Sequence, residues 1–260
     1  MTTKSMENVY LVCPLSLGDY FVCNALVRYY LALSHQVVLP AVPQFMETIR
    51  CLYSDWPNIE IVPYLGQQIE SELIQERKLK VVNFRTVFEI NHLPLQDSAE
   101  LIAIPVNWDR QIYEHFDWCY SRRYQDFRLP KNIPNSVSLY QRLNPKDEPY
   151  VLFHRHTSKH VGGINIDLAA WRPSAGLDPS LKIIEVEIGH SPNLLDYVEL
   201  IRKAKEIHVV PSSLHCLVDS MVNQTSAELF FHDARLDTML QPNCRWNSNR
   251  WHIVRYGAKQ

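Results

Sequence analysis

Glycine is scarce in this chain: 7 of 260 residues, where average composition would give roughly 18. The glycines stand at 18, 66, 162, 163, 176, 189 and 257, so neither GxGxxG nor GxxxxGK[ST] can be written. The glycine-rich cradles for dinucleotides and for nucleoside triphosphates are therefore excluded. Paired cysteines are missing too. The six cysteines, at 13, 23, 51, 119, 216 and 244, form no CxxC and no zinc-like spacing, and read as free thiols of a reducing compartment. No run approaches the roughly 18 apolar residues of a spanning helix, and residues 1–7 are polar with no apolar segment behind a basic one. A cytoplasmic protein with no transmembrane segment is the expectation. An excess of positive charge is also absent. With 26 Lys+Arg against 28 Asp+Glu, the net charge is -2, which removes bulk attraction to nucleic acid or to an anionic membrane.

What is present is an ordinary globular composition, 46% hydrophobic and 21% charged, long enough for one large domain or two small ones. Short apolar runs alternate with helical periodicity. Val9–Cys13 reads as a buried strand, Asp19–Leu33 as a helix and Gln36–Pro40 as the next strand. Helices near 43–53 and 67–78 then alternate with strands at 59–62, 79–82 and 100–104. An aromatic helix is expected around 108–120. Prolines at 130, 134, 145 and 149 punctuate the stretch that follows. A second alternation has strands at 150–153, 182–188, 206–210 and 227–231 and helices at 194–205 and 213–222. The pattern predicts an α/β chain of two similar halves with parallel sheets. Their expected bounds are 1–125 and 149–260, with 126–148 as a proline-punctuated linker.

Open parallel sheets bind ligands beyond the carboxyl ends of their strands, and three such loops carry chemistry. In the first, Pro14 to Tyr20, Gly18 is expected to supply a turn and Asp19 to cap the following helix or serve as a general base toward a hydroxyl. The second, His154 to Gly163, brings Arg155 and Lys159 together with Gly162-Gly163, groups suited to a phosphate. Its His154, His156 and His160 also have metal-ligand spacing, without a local carboxylate or thiolate. In the third, Val210 to Cys216, Ser212 and Ser213 open a helix whose amides suit an anion, and His215 lies in the first turn. Helix capping and solvated loop histidines account for the same residues without catalysis. Ser213-Leu214-His215 lacks the glycines of a nucleophile elbow.

Two halves in this order, with Gly18-Asp19 after the first strand, basic Arg155 and Lys159 opening the second half and Ser212-Ser213 at a late helix start, resemble a GT-B glycosyltransferase. The heptosyltransferase-like group is the family most similar. The resemblance implies two Rossmann-like domains with sheets facing a cleft, an acceptor-side N-terminal domain and a nucleotide-sugar donor domain at 149–260. It implies Asp19 as catalytic base and Arg155, Lys159, Ser212, Ser213 and His215 at the donor. Gly18, Arg122 and Arg123 would lie toward the acceptor or the cleft, with surface salt bridging the alternative role for at least one of the two arginines. Partners would be a nucleotide-diphosphate sugar, itself substrate, and a saccharide acceptor, with no cofactor and no essential metal. The family's late turn reads Asp-[Ser/Thr]-Gly-x-x-His, and here Pro211-Ser212-Ser213-Leu214-His215 departs from it. A sugar-nucleotide epimerase or hydrolase, and a non-catalytic nucleotide-sugar-binding protein, are the competing readings.

Overall fold

A computed structural model describes residues 7–13, 16–85, 108–155, 166–187, 189–233 and 250–255. The described residues up to Asn132 form one compact unit and those from Ile133 onward a second.

In the first unit the chain runs β1 (Asn8–Val12), α1 (Leu17–Val22), α2 (Asn24–Leu33), β2 (Gln36–Ala41), α3 (Met46–Leu52), β3 (Ile59–Pro63), α4 (Gln67–Arg77), β4 (Lys80–Asn83), α5 (Trp108–His115) and α6 (Arg122–Gln125). The expected helix over 19–33 is two helices, because Cys23 leaves the helical region at φ -83, ψ 2. The strand expected at 100–104 lies outside the described residues. All strand pairs are parallel, in the order β3-β2-β1-β4. Parallel strands buried on both faces need near-continuous apolar runs, and β1 and β2 have them, with Val9 to Cys13 and Val37 to Leu39 almost wholly buried. Tyr10, Val12, Val38 and Leu79 form one cluster under α4. The glycines with positive φ among the described residues are Gly66 (111°), where α4 begins, and Gly176 (75°). Gly18 lies inside α1 instead, so the special turn conformation expected of it is not used.

The second unit contains α7 (Ser136–Leu143), β5 (Tyr150–His154), α8 (Leu168–Ser174), β6 (Lys182–Glu185), α9 (Val198–Lys203), β7 (Glu206–Val209), α10 (Ser213–Ser220), β8 (Glu228–Asp233) and β9 (Trp251–Arg255). Its sheet is again all parallel, in the order β6-β5-β7-β8-β9. Within 126–148 the chain forms α7, whose Leu139 and Tyr140 are buried. The Oγ of Ser136 accepts the Glu199 N–H at 2.8 Å, tying α7 to α9.

The sheet face under α8 is unusually polar for a core. Arg172 of α8 grips Glu206 through Nε and Nη2 at 3.0 and 2.9 Å. Glu206 meets His208 Nε2 at 3.2 Å, and His208 Nδ1 meets His232 Nε2 at 2.9 Å. Arg172, His208 and His232 are at most 2% exposed. Phe230 stacks on His208 at 4.4 Å, and Trp171 sets its edge against both imidazoles. Burial pushes the Glu206 carboxyl up, but the hydrogen bonds from His208 and Arg172 outweigh it and hold it below its ordinary value. An ionised Glu206 assigns the tautomers: His208 carries its hydrogen on Nε2, so its Nδ1 accepts from His232 Nε2–H.

Burial lowers the pKa of both rings, and the neighbouring His208 adds to the fall of His232 to about 3. The unfolded chain therefore binds more protons than the folded one below the ordinary imidazole value of 6.5, and stability falls as pH drops through that value. The melting temperature is expected to decline from pH 7.5 to pH 5, with a shallower slope in His232→Gln. Equal slopes would remove the buried pair as the cause.

Candidate functional site

In each sheet the connections change direction at the first strand. From β1 the chain passes to β2 and β3 on one side, with β4 on the other; from β5 it passes to β6 on one side, with β7, β8 and β9 on the other. Such switch points open a crevice at the carboxyl ends of the two strands that part. Asp19 follows β1 at the first of these, and His154 and Ser212 meet at the second.

At the β1/β4 switch point, Ser16 opens α1 and its N–H donates to Asp19 Oδ2 at 2.9 Å, while the Asp19 N–H donates to Ser16 O at 3.0 Å. The Asp19 carboxylate on the Ser16 N–H is the acidic half of a capping box. The helix cap is thus Ser16, and Asp19 is its N3 partner, a correction to the expected cap. Asp19 is half-buried. Burial raises its carboxyl to about 6 against the opposing pull of the Ser16 hydrogen bonds. A carboxylate in that range suits a general base near neutrality. Sequence reasoning missed Arg85, which follows β4. It is 3% exposed, donates from Nε to Cys13 O at 2.7 Å and lies 3.5 Å from Glu70. Arg85 thereby fixes the carboxyl end of β1 directly before the Asp19 turn.

At the β5/β7 switch point, His154 ends β5 and its Nδ1 stands 3.2 Å from Ser212 Oγ. Ser212, extended at φ -164, caps α10 by accepting the His215 N–H at 3.3 Å. Since Oγ accepts from that amide, its own hydrogen is available for His154 Nδ1. Ser213 is the half-buried first residue of α10. His215 sits elsewhere: its ring packs in the core between Phe231 at 4.5 Å and Trp251 at 5.0 Å, so its backbone amide, not its imidazole, faces Ser212. Arg155 is half-buried and turned toward β6, held by both carboxylate oxygens of Glu185. Lys159, His156, His160 and Gly162-Gly163 lie outside the described residues.

The two arginines expected nearer an acceptor are committed locally. Arg122 pairs with Asp126 at 2.7 Å and covers the Trp118 ring at 3.7 Å. Arg123 is 0% exposed, paired with Asp109 at 2.5 Å and accepted by the Tyr120 hydroxyl at 2.7 Å. The five described cysteines are free thiols. Among the described residues no three His, Cys, Asp or Glu side chains are grouped to hold a metal, and no helix is long and apolar enough to cross a membrane.

No family model matches the sequence, and no curated protein matches it. Solved structures do match. TibC, described as an iron-containing dodecameric glycosyltransferase from enterotoxigenic E. coli H10407, is 13% identical with a TM-score of 0.54, covering 99% of this chain and 65% of its own. ADP-heptose lps heptosyltransferase II of E. coli is 13% identical with a TM-score of 0.52, covering 96% of this chain and 90% of its own. A glycosyl transferase family 9 protein of Veillonella parvula DSM 2008 is 10% identical with a TM-score of 0.52, covering 98% and 88%. The chain thus spans 65% of the length of TibC and most of the other two. It has the α/β fold, with parallel sheets, of the heptosyltransferase-like glycosyltransferases.

Proposed function

We propose that this protein is a glycosyltransferase that moves a sugar from a nucleotide-diphosphate donor to a saccharide hydroxyl. The observation that carries the reading is a half-buried Asp19 with its carboxyl raised to about 6 at the first switch point of a heptosyltransferase-like fold. The acceptor is assigned to the first unit and the donor diphosphate to the second. One Asp19 oxygen is occupied by the Ser16 N–H, which leaves the other to take the acceptor proton. As that proton moves to Asp19, the acceptor oxygen bonds to the anomeric carbon. The bond from that carbon to the diphosphate oxygen breaks, and its electron pair leaves with the diphosphate. Arg155 meets the charge that develops there, and so does the Ser212 hydroxyl once its hydrogen turns from His154 Nδ1 to the diphosphate. Lys159, in the same basic loop, is proposed to do so as well.

TibC is described in complex with ADP-D-beta-D-heptose, and the E. coli heptosyltransferase WaaC with ADP, which makes ADP-sugars the first donors to try. The test is a turnover assay with nucleotide-diphosphate sugars and saccharide acceptors, read as mass gained by the acceptor. Acceptor heavier by one glycosyl unit is the expected product. Donor consumed with no such gain would replace transfer by epimerisation or hydrolysis. Because side chains supply the leaving-group stabilisation in this scheme, the rate is expected to survive EDTA; loss restored by an added metal would require a different scheme.

A further inference from the structure

Glu185 ends β6, and sheet register places it opposite Phe153 of β5. Strand alternation puts Arg155, two residues past Phe153, on that same face as a diagonal neighbour of Glu185. The contact is side-on: Nε of Arg155 donates to Oε1 of Glu185 and Nη2 to Oε2. The Phe153 ring lies 5.8 Å from the guanidinium carbon. A guanidinium has five N–H donors in a fixed fork. Glu185 takes the Nε/Nη2 edge, and Nη1 has no hydrogen-bond partner among the described residues. Arg155 is 36% exposed and Glu185 17%, so the pair is neither a loose surface contact nor sealed in the core.

We infer that Glu185 is a positioning residue that clamps one edge of Arg155 so that the Nη1 edge is presented, already oriented, to a diphosphate oxygen at the carboxyl end of β5. The inference rests on the donor-site reading above and deepens it. An unclamped arginine side chain gives up considerable rotamer freedom on binding an anion. With the clamp in place, most of that ordering has occurred before the ligand arrives. Glu185 touches Arg155 and acts on the ligand only through it.

The experiment is a double-mutant cycle on the full chain, with dissociation constants measured for inorganic pyrophosphate and for ADP. Glu185→Gln keeps one acceptor oxygen but not the ionic bidentate clamp, and Glu185→Ala removes both. Affinity for each probe is expected to weaken about tenfold in the alanine variant, within the coupling seen for residues that share an ion-pair network, and less in the glutamine variant. In an Arg155→Ala background neither change should weaken binding further. Unchanged or tighter binding in Glu185→Gln would overturn the inference, since Glu185 would then be idle or a competitor of the phosphate. A loss of equal size persisting in Arg155→Ala would also overturn it, by making Glu185 a direct ligand contact. If the unaltered protein binds neither probe, the donor-site reading falls along with the clamp. If Arg155→Ala weakens binding and the Glu185 variants do not, the clamp alone falls.

Discussion

Asp19→Asn is expected to lower kcat for glycosyl transfer by about 10²–10⁴-fold, the usual contribution of a positioned general base, with little change in affinity for the donor. The amide keeps an oxygen for the Ser16 N–H, so the capping box that now uses Asp19 Oδ2 can persist and the fold with it. What disappears is the group that takes the proton. The same carboxyl sets the acid limb of the pH profile. Its raised pKa of about 6 means that the active, ionised form grows as pH rises through that value and is lost below it. A kcat/KM profile with an acid limb near 6 in the unaltered protein is the expected curve. Transfer by Asp19→Asn at near the original rate would reduce Asp19 to a capping residue.

Glu206→Gln should give the largest loss of stability. Arg172, 2% exposed, is held by both oxygens of Glu206. Neutralising the carboxylate leaves a buried guanidinium without its counter-charge and removes the ionic anchor of the His208–His232 chain. Breaking a buried pair from one side costs about 3–5 kcal/mol, a large part of the stability of a domain. Removing both charges together, as Arg172→Met with Glu206→Gln, is expected to recover much of that loss. Denaturant unfolding of the unaltered protein and the two variants measures the difference. A double variant as unstable as Glu206→Gln alone would mean that the pair acts through shape and not through charge.

Much of the architecture was legible from period and run length. The apolar runs at 9–13 and 150–153 lie in or beside parallel strands, because strands buried on both faces have no polar alternation to preserve; β7 alternates Glu206, Ile207, His208 and Val209 and is buried all the same. Four elements escaped, α6, α7, α8 and β9. In α8, Arg172 and Pro173 interrupt any apolar stripe, and the arginine is buried only because Glu206 waits on the sheet beneath it. In β9, His252 and Ile253 remain exposed and the strand is short, so its identity comes from pairing with β8 more than from its own residues. The site divides in the same way. Asp19, Arg155 and Ser212 were visible because strand-to-helix turns can be read along the chain. Partnerships between strands could not be read that way: Glu185 with Arg155, His154 with Ser212 and Arg85 with the Cys13 carbonyl all depend on which strands lie side by side. His215 illustrates the converse error. A histidine in the first turn of a helix suggests a ligand group, yet the helix turns it inward onto Phe231 and Trp251.

Glycine scarcity has its counterpart in the site. Among the described residues neither switch point has a glycine in the left-handed region; the second unit offers a capped helix and a serine hydroxyl, with a guanidinium paired to Glu185 at the carboxyl end of β5. Donor binding in the second unit requires that those groups hold a diphosphate. Calorimetric titration of the full chain with ADP measures this most directly. Saturable binding is the expected result, weakened about tenfold or more in Arg155→Ala and in Ser212→Ala, as for loss of a charge-assisted or buried hydrogen bond, and preserved in Asp19→Asn. Equal affinity in all four proteins, or no binding to any of them, would contradict it.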